Sequence, residues 1–375
     1  MFFILAPALY FTDELLKDTA MILWKKNSIN LYVLLAFCLT GCASTAVGAF
    51  EELAEPPVRI FFATDRNHTD SEEPGKMFGS ERGEVSYGIC AVSIPSDHRI
   101  GELESPIFSE DIMEHVVLAD VSLYDRKDYF SKVAGFVDRS VDKHMLVFVH
   151  GYNMTFEKAA RRMAQVVRDL DFNGCPVLYS WPSRGKVSGY PVDETNVRWS
   201  EKNLKSFLEE IAVKSGAESI FLIAHSMGNR AATGAFLELI SERPLLEKRF
   251  KALLLTAPDI DAGIFRRDMA ESLEQSGVHI TIYVSSRDKA LELSKRIHGF
   301  PRVGEVDGVP LIVPGIETID ASSVDTSFLG HSYYNGSRSV LSDMFYIINE
   351  DLRANERFSL EAVDTKDGRY WRFKE

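Results

Sequence analysis

From residue 145 onward the chain alternates short, continuously apolar runs with stretches whose apolar residues recur at helical spacing. Met-Leu-Val-Phe-Val at 145–149 reads as a buried strand, and 155–170 as a helix with Phe156, Ala159, Met163, Val166, Val167 and Leu170 on one face. Residues 176–181 give the next strand. Residues 194–213 give a helix with Val197, Leu204, Phe207, Leu208 and Ile211 inward. A third apolar run ends at His225, and a helix-compatible segment covers 230–240. Strands at 252–257 and 279–284 complete the series, with a helix at 265–275 between them and a closing helix at 339–353. This rhythm predicts an α/β fold: a mostly parallel central sheet with helices on both faces. Upstream, 58–63, 85–94 and 116–124 are strand-like and suggest an antiparallel lead-in. Thr64-Asp65-Arg66-Asn67 reads as the stop of the first strand, and 68–84 as a loop. With no repeat and no second boundary, one domain is expected over 58–354, after a tether at 43–57. A tail follows at 355–375, in which Asp367-Gly368 suits a hairpin turn.

The first 42 residues follow a different pattern. Lys25-Lys26 precede a largely apolar run at 29–39, and Leu39-Thr40-Gly41-Cys42 follows. A basic stretch, a short apolar stretch and small residues describe a secretory signal. The cysteine after Leu-Thr-Gly makes the segment resemble a bacterial lipobox, which implies cleavage before Cys42, lipidation of its thiol and a membrane partner through the lipid. A plain signal peptide with secretion, or a single membrane anchor, is the alternative, although the apolar run is short for a span. Residues 1–20 carry Asp13, Glu14 and Asp18 and fit no part of a signal, so Met21 is the better start. Ala43 stands where an aspartate would suggest inner-membrane retention, so the lipobox resemblance points to the outer membrane of the bacterial envelope, facing the periplasm. Cys38 leaves with the signal. Cys90 and Cys175 remain, and a disulfide or two buried thiols are both open.

Composition narrows the function. With 375 residues and 45% hydrophobic content the chain can bury a large core, and a formal charge of −13 argues against a nucleic-acid partner. There is no His-Glu-x-x-His, no cysteine pair at zinc spacing and no Gly-x-Gly-x-x-Gly after a strand. Neither a metal nor a cofactor is therefore expected.

The chemistry gathers where the strands end. Ile-Phe-Leu-Ile-Ala at 220–224 runs into His225-Ser226-Met227-Gly228-Asn229-Arg230. Strand, tight small-residue turn and helix with a serine at the apex form the context of a nucleophile elbow, with Ala224 replacing the first glycine of the usual Gly-x-Ser-x-Gly. The turn would set the Met227 N–H and the positive end of the helix beside a developing oxyanion. In open parallel sheets ligands bind beyond the carboxyl ends of the strands. Those ends carry His150-Gly151-Tyr152-Asn153, Trp181-Pro182-Ser183, Ser226, Pro258-Asp259-Ile260-Asp261 and Ser285-Ser286-Arg287-Asp288, and beyond them lies Gly330-His331-Ser332-Tyr333-Tyr334. Ser226, Asp288 and His331 occur in the order of an α/β-hydrolase triad. The second oxyanion donor is assigned to the Tyr152 N–H, where Gly151 lets the chain turn close. His150, Gly151 and Trp181 are expected around the substrate pocket.

With these motifs in place, the chain resembles the bacterial α/β-hydrolase family DUF900, a family of unknown function with an esterase- or lipase-like description. The resemblance covers about 58–349. It implies the α/β-hydrolase fold and a Ser-Asp-His triad, and leaves the substrate open.

Rivals remain for each role. Asp259 is the alternative acid. His225, expected to point into the core, and His150 compete with His331 as base, and His298 reads as solvated. Asp261 reads as a helix cap. Arg230 is either salt-bridged or a binder of a substrate carboxylate or phosphate. The expected activity is hydrolysis of a carboxylic ester or thioester, with a small acyl ester or lipid as substrate and 297–328 as the cover of the pocket. Acyl transfer, or a non-catalytic envelope lipoprotein that uses the fold for binding, are the alternatives.

Overall fold

The computed structural model describes residues 56–106, 110–324 and 338–374. Cys42 with the signal-like segment, and His331 with its motif, lie outside the described residues.

Among the described residues eleven strands form one sheet: β1 (Val58–His68), β2 (Phe78–Ser93), β3 (Val117–Tyr124), β4 (His144–Val149), β5 (Cys175–Ser180), β6 (Ser219–His225), β7 (Phe250–Thr256), β8 (His279–Val284), β9 (Glu317–Asp320), β10 (Leu360–Thr365) and β11 (Gly368–Phe373). Their spatial order is β10-β11-β9-β8-β7-β6-β4-β5-β1-β2-β3. From β1 through β9 and on to β11 the neighbours are parallel. The β1–β2, β2–β3 and β10–β11 pairs are antiparallel. An antiparallel lead-in on a parallel sheet is thus what the chain builds.

The central strands are buried on both faces, which accounts for their continuous apolar runs rather than alternation. One face packs under α1 (Arg126–Arg139), α3 (Tyr190–Lys214) and α4 (Gly228–Glu242); the other lies under α2 (Phe156–Asp169) and α6 (Arg338–Glu350). α5 (Lys289–His298) follows β8, and a short broken helix fills 262–275. Thr155 and Asp125 cap α2 and α1 with their side chains. Asp261 caps the broken helix as expected, accepting from the N–H groups of Gly263 and Ile264.

Two expectations are corrected. Thr64-Asp65-Arg66-Asn67 does not stop β1, which pairs with β2 out to His68 opposite Phe78. The polar run is tolerated inside the strand because partners engage it: Thr64 Oγ1 donates to Ser180 O (2.6 Å), and Asp65 Oδ2 accepts from Tyr179 (2.9 Å) and Asn203 (3.1 Å). The stretch after 354 is no loose tail, since its hairpin turns at Lys366-Asp367 and β11 pairs with β9. That hairpin belongs to the same compact unit, Glu55–Glu375. Of the two readings open for Cys90 and Cys175, two buried thiols is the one found: both are free and buried, on opposite faces of the sheet with β1 between their strands.

Candidate active site

Ser226 sits on the turn between β6 and α4 with φ +49°. A serine in the left-handed region stores about 1–3 kcal/mol of backbone strain, which persists only where the surroundings over-determine it. They do so here. The Ser226 N–H donates to Thr256 O (2.9 Å), and its carbonyl accepts from the Asn229 N–H (3.1 Å), Asn229 Nδ2 (3.0 Å) and the Asp259 N–H (3.2 Å). Asn229 Nδ2 also reaches Thr256 O (3.1 Å), so one buried amide ties the elbow to β7.

Two glycines let neighbouring backbone come this close. A Cβ on Gly228 would lie 2.3 Å from His150 O, and one on Gly151 would lie 2.8 Å from His225 Nδ1 and 3.0 Å from Ser226 Cβ. Gly228 fills the second glycine position of the elbow pattern, and its reason is the end of β4. Gly151 brings the loop after β4 into contact with the serine. The N-terminus of α4 has no side-chain cap at Met227, and among the described residues no backbone acceptor takes the Met227 N–H. An uncapped helix start beside a serine offers orphan donors and positive potential to an anion.

The loop at 150–154 is held from below by groups that sequence reasoning did not single out. Arg66 is buried and donates to Ser180 Oγ (2.9 Å), Gly79 O (3.1 Å), Ser183 O (2.9 Å) and Met154 O (2.8 Å). Burial brings its guanidinium down to about 10, still well above neutrality. Asp193 accepts from Ser183 Oγ (2.6 Å), the Arg184 N–H (2.8 Å) and the Asn153 N–H (3.3 Å). Burial raises this carboxyl, and those hydrogen bonds oppose the rise.

His150 and Trp181 are fully buried, so they support the loop rather than line an open pocket. Their rings stack at 5.0 Å, and Trp181 Nε1 donates to His150 O (2.7 Å). With His150 Nδ1–H donating to Gly151 O (2.7 Å), Nε2 faces Ser180 Oγ (3.2 Å) and Arg66 Nη2 (3.4 Å). Burial first, and the Arg66 charge second, hold this imidazole far below its usual range. It is a neutral structural histidine. Tyr152 stands half-buried at the top of the loop with its ring against Tyr190 (5.2 Å). Its phenol is raised by burial and by the charges of Asp193, Asp259 and Asp288.

The two aspartates differ sharply. Asp288 is the N-cap of α5, its Oδ1 accepting from the N–H groups of Ala290 (3.0 Å) and Leu291 (3.1 Å). Asp259 has both oxygens taken: Oδ1 by Ser294 Oγ (2.6 Å), Oδ2 by the Tyr190 hydroxyl (2.6 Å) and Arg230 Nη2 (3.0 Å). It is therefore engaged in a fixed network. Arg230 is salt-bridged, with Nε on Asp259 O (2.6 Å) and Nη1 on Glu194 (2.7 Å). Two histidine expectations change. His225 is only partly buried, against Gly151, and His298 is bonded rather than solvated, meeting Glu194 at 2.6 Å and Ser294 O at 2.7 Å. Among the described residues there is no cluster of three metal-ligating side chains, and no helix is long and apolar enough to cross a membrane.

A parallel sheet with an antiparallel lead-in, and a strained serine between strand and helix at its carboxyl edge, define the α/β-hydrolase class. The chain belongs to the family described as alpha/beta hydrolase of unknown function (DUF900), whose model matches residues 126–348. It is 26% identical over 132 residues to the uncharacterized protein alr1448 of Nostoc, a match covering 28% of this chain and 34% of that protein. Two solved structures with some likeness are a lipase-esterase related protein from Clostridium acetobutylicum and the peroxisomal alpha-beta-hydrolase Lpx1 from Saccharomyces cerevisiae. The first is 13% identical (55% of this chain, 89% of that one, TM-score 0.24), and the second 15% (55% and 45%, TM-score 0.23).

Proposed function

We propose that the protein is a serine hydrolase acting on a carboxylic ester or thioester through an acyl-enzyme, with Ser226 as nucleophile, His331 as base and Asp288 as acid. The observation that carries this reading is the strained Ser226 at φ +49°, packed against Gly151 and beside an uncapped helix start. A strained serine on a turn between strand and helix is the context of a nucleophile elbow.

In this reading His331 removes the Ser226 Oγ proton as the oxygen attacks the carbonyl carbon. The resulting oxyanion takes the N–H groups of Met227 and Tyr152. Collapse expels the alcohol or thiol, which leaves with the proton held on His331, and the same imidazole then deprotonates the water that cleaves the acyl-enzyme. Asp288, whose Oδ1 caps α5, is the carboxylate assigned to orient His331.

The test is labelling of the chain from Ala43 onward by a fluorophosphonate probe. The wild type should react, Ser226→Ala should not, and His331→Ala and Asp288→Asn should slow the reaction by orders of magnitude. Asp259→Asn should keep substantial labelling. A folded wild type that resists the probe would sink the enzyme reading.

A further inference from the structure

A cluster of polar side chains beside Ser226 has no part in the chemistry proposed above, yet it joins four elements at one buried carboxylate. The main chain of Asp259 holds the elbow through its N–H on Ser226 O (3.2 Å) and is itself held by Arg230 Nε on its carbonyl (2.6 Å). Its side chain, 1% exposed, reaches Ser294 on α5, Tyr190 at the start of α3 and Arg230 on α4. The Tyr190 hydroxyl also lies 3.0 Å from Ser294 Oγ, closing a triangle of hydroxyl, hydroxyl and carboxylate. A second guanidinium, Arg302, stands 3.6 Å from Asp259 Oδ1.

The helix on the far side of this cluster has little apolar anchoring. Of the ten residues of α5 only Leu291 and Ser294 are buried. Leu293 and Ile297, its other large apolar residues, are 48% and 56% exposed. One apolar side chain contributes only about 1.5–3 kcal/mol of burial, so polar contacts carry much of the constraint on where the helix lies: the buried Ser294 bonds, with His298 on Glu194 (2.6 Å) and Lys295 on Glu305 (2.9 Å) beside them. Asp288 caps the first turn of that helix, six residues ahead of Ser294 on the same rigid rod.

We infer that Tyr190 is a positioning residue: through its hydroxyl on Asp259 and Ser294 it fixes the acid-bearing helix relative to the elbow, and so sets the placement of Asp288 with respect to Ser226. The inference rests on the hydrolase reading above for its catalytic consequence, but not for its structural one. Tyr190→Phe deletes the hydroxyl while keeping the ring that packs on Tyr152 (5.2 Å) and His298 (6.0 Å), so the fold should tolerate it.

The experiment is a double-mutant cycle read by fluorophosphonate labelling, together with amide hydrogen exchange. Tyr190→Phe should slow labelling about tenfold, a moderate loss where a misplacement of about 1 Å costs about a hundredfold. In an Asp288→Asn background the same change should slow it less than about twofold, because the group being positioned is already gone. Equal factors in both backgrounds, or no effect in either, would overturn the inference. The exchange arm works whether or not Ser226 reacts. The amides of Ala290 and Leu291, which Asp288 caps, should exchange faster in Tyr190→Phe while those of α2 stay unchanged. Unaltered protection at those two amides also overturns the proposal. Failure of the wild type to label, with the exchange result intact, would count against the hydrolase reading and leave Tyr190 as the holder of the helix.

Discussion

At the scale of single residues the candidate site is a problem of space. Gly151 and Gly228 stand where backbone from three elements converges, and each excludes any side chain at its position. Gly151→Ala puts a methyl against His225 and Ser226. Overpacking of this kind costs about 1–3 kcal/mol, so melting should fall by a few degrees. Displacing the loop that carries one proposed oxyanion donor should cost about a hundredfold or more in fluorophosphonate reactivity. Unchanged labelling in a folded Gly151→Ala protein would mean that the loop is not part of the site. The elbow was legible in the sequence because its geometry demands small residues at fixed spacing. Arg66 and Asp193 were not, because buried charges that brace a loop share no local pattern, and most of Arg66's partners lie far along the chain. The Ser180 side chain that Arg66 meets is 114 residues away.

At the scale of elements, the sequence was readable wherever burial left a periodic imprint. Buried strands such as β4 and β8 were found almost to the residue. Two helices leave a weak imprint, for different reasons. α1 does bury Tyr129, Phe130, Val133 and Val137, a helical stripe set among charged neighbours. α5 turns almost nothing inward, so no stripe exists to be read. β9, four residues long, buries only two. The connection between β2 and β3 shows how such a segment is fixed without an apolar face. His98 lies between Asp169 (2.8 Å) and Glu104 (2.9 Å), and Asp169 also accepts from the Gly101 N–H (2.9 Å). Burial alone would lower the imidazole, but the hydrogen bonds to Asp169 and Glu104 outweigh it and raise the group to about 9. A folded pKa above the unfolded value of 6.5 gives stability that is fully present below 6.5 and lost as the pH rises through 9. In urea unfolding, the gap between wild type and His98→Gln should therefore be widest near pH 6 and shrink toward pH 9.5. A gap that grows with pH would contradict the assigned pairing.

At the scale of the whole molecule, one sheet separates two apolar layers, and a buried ionic group fastens the last hairpin to it. Arg357 bridges Asp343 (2.9 Å) and Glu317, and Tyr283 donates to the same Asp343 oxygen (2.7 Å). Strand-and-helix alternation announced this architecture. Nothing in the alternation foretold that the C-terminal hairpin would extend the sheet, since pairing of β11 with β9 is a long-range choice.

The two cysteines turn that division into a pair of clocks. Cys90 belongs to one layer and Cys175 to the other, both fully buried, and burial pushes both thiols far above their ordinary range. Neither can meet a disulfide reagent such as Ellman's until its own layer opens. In a chain beginning at Ala43 they are the only thiols. Single-cysteine versions would then time the two openings independently. Equal, slow rates would mean that sheet and helices come apart as one cooperative body. A faster Cys90 would report that the layer holding α2 and α6 loosens first, while the elbow and its helix stay closed.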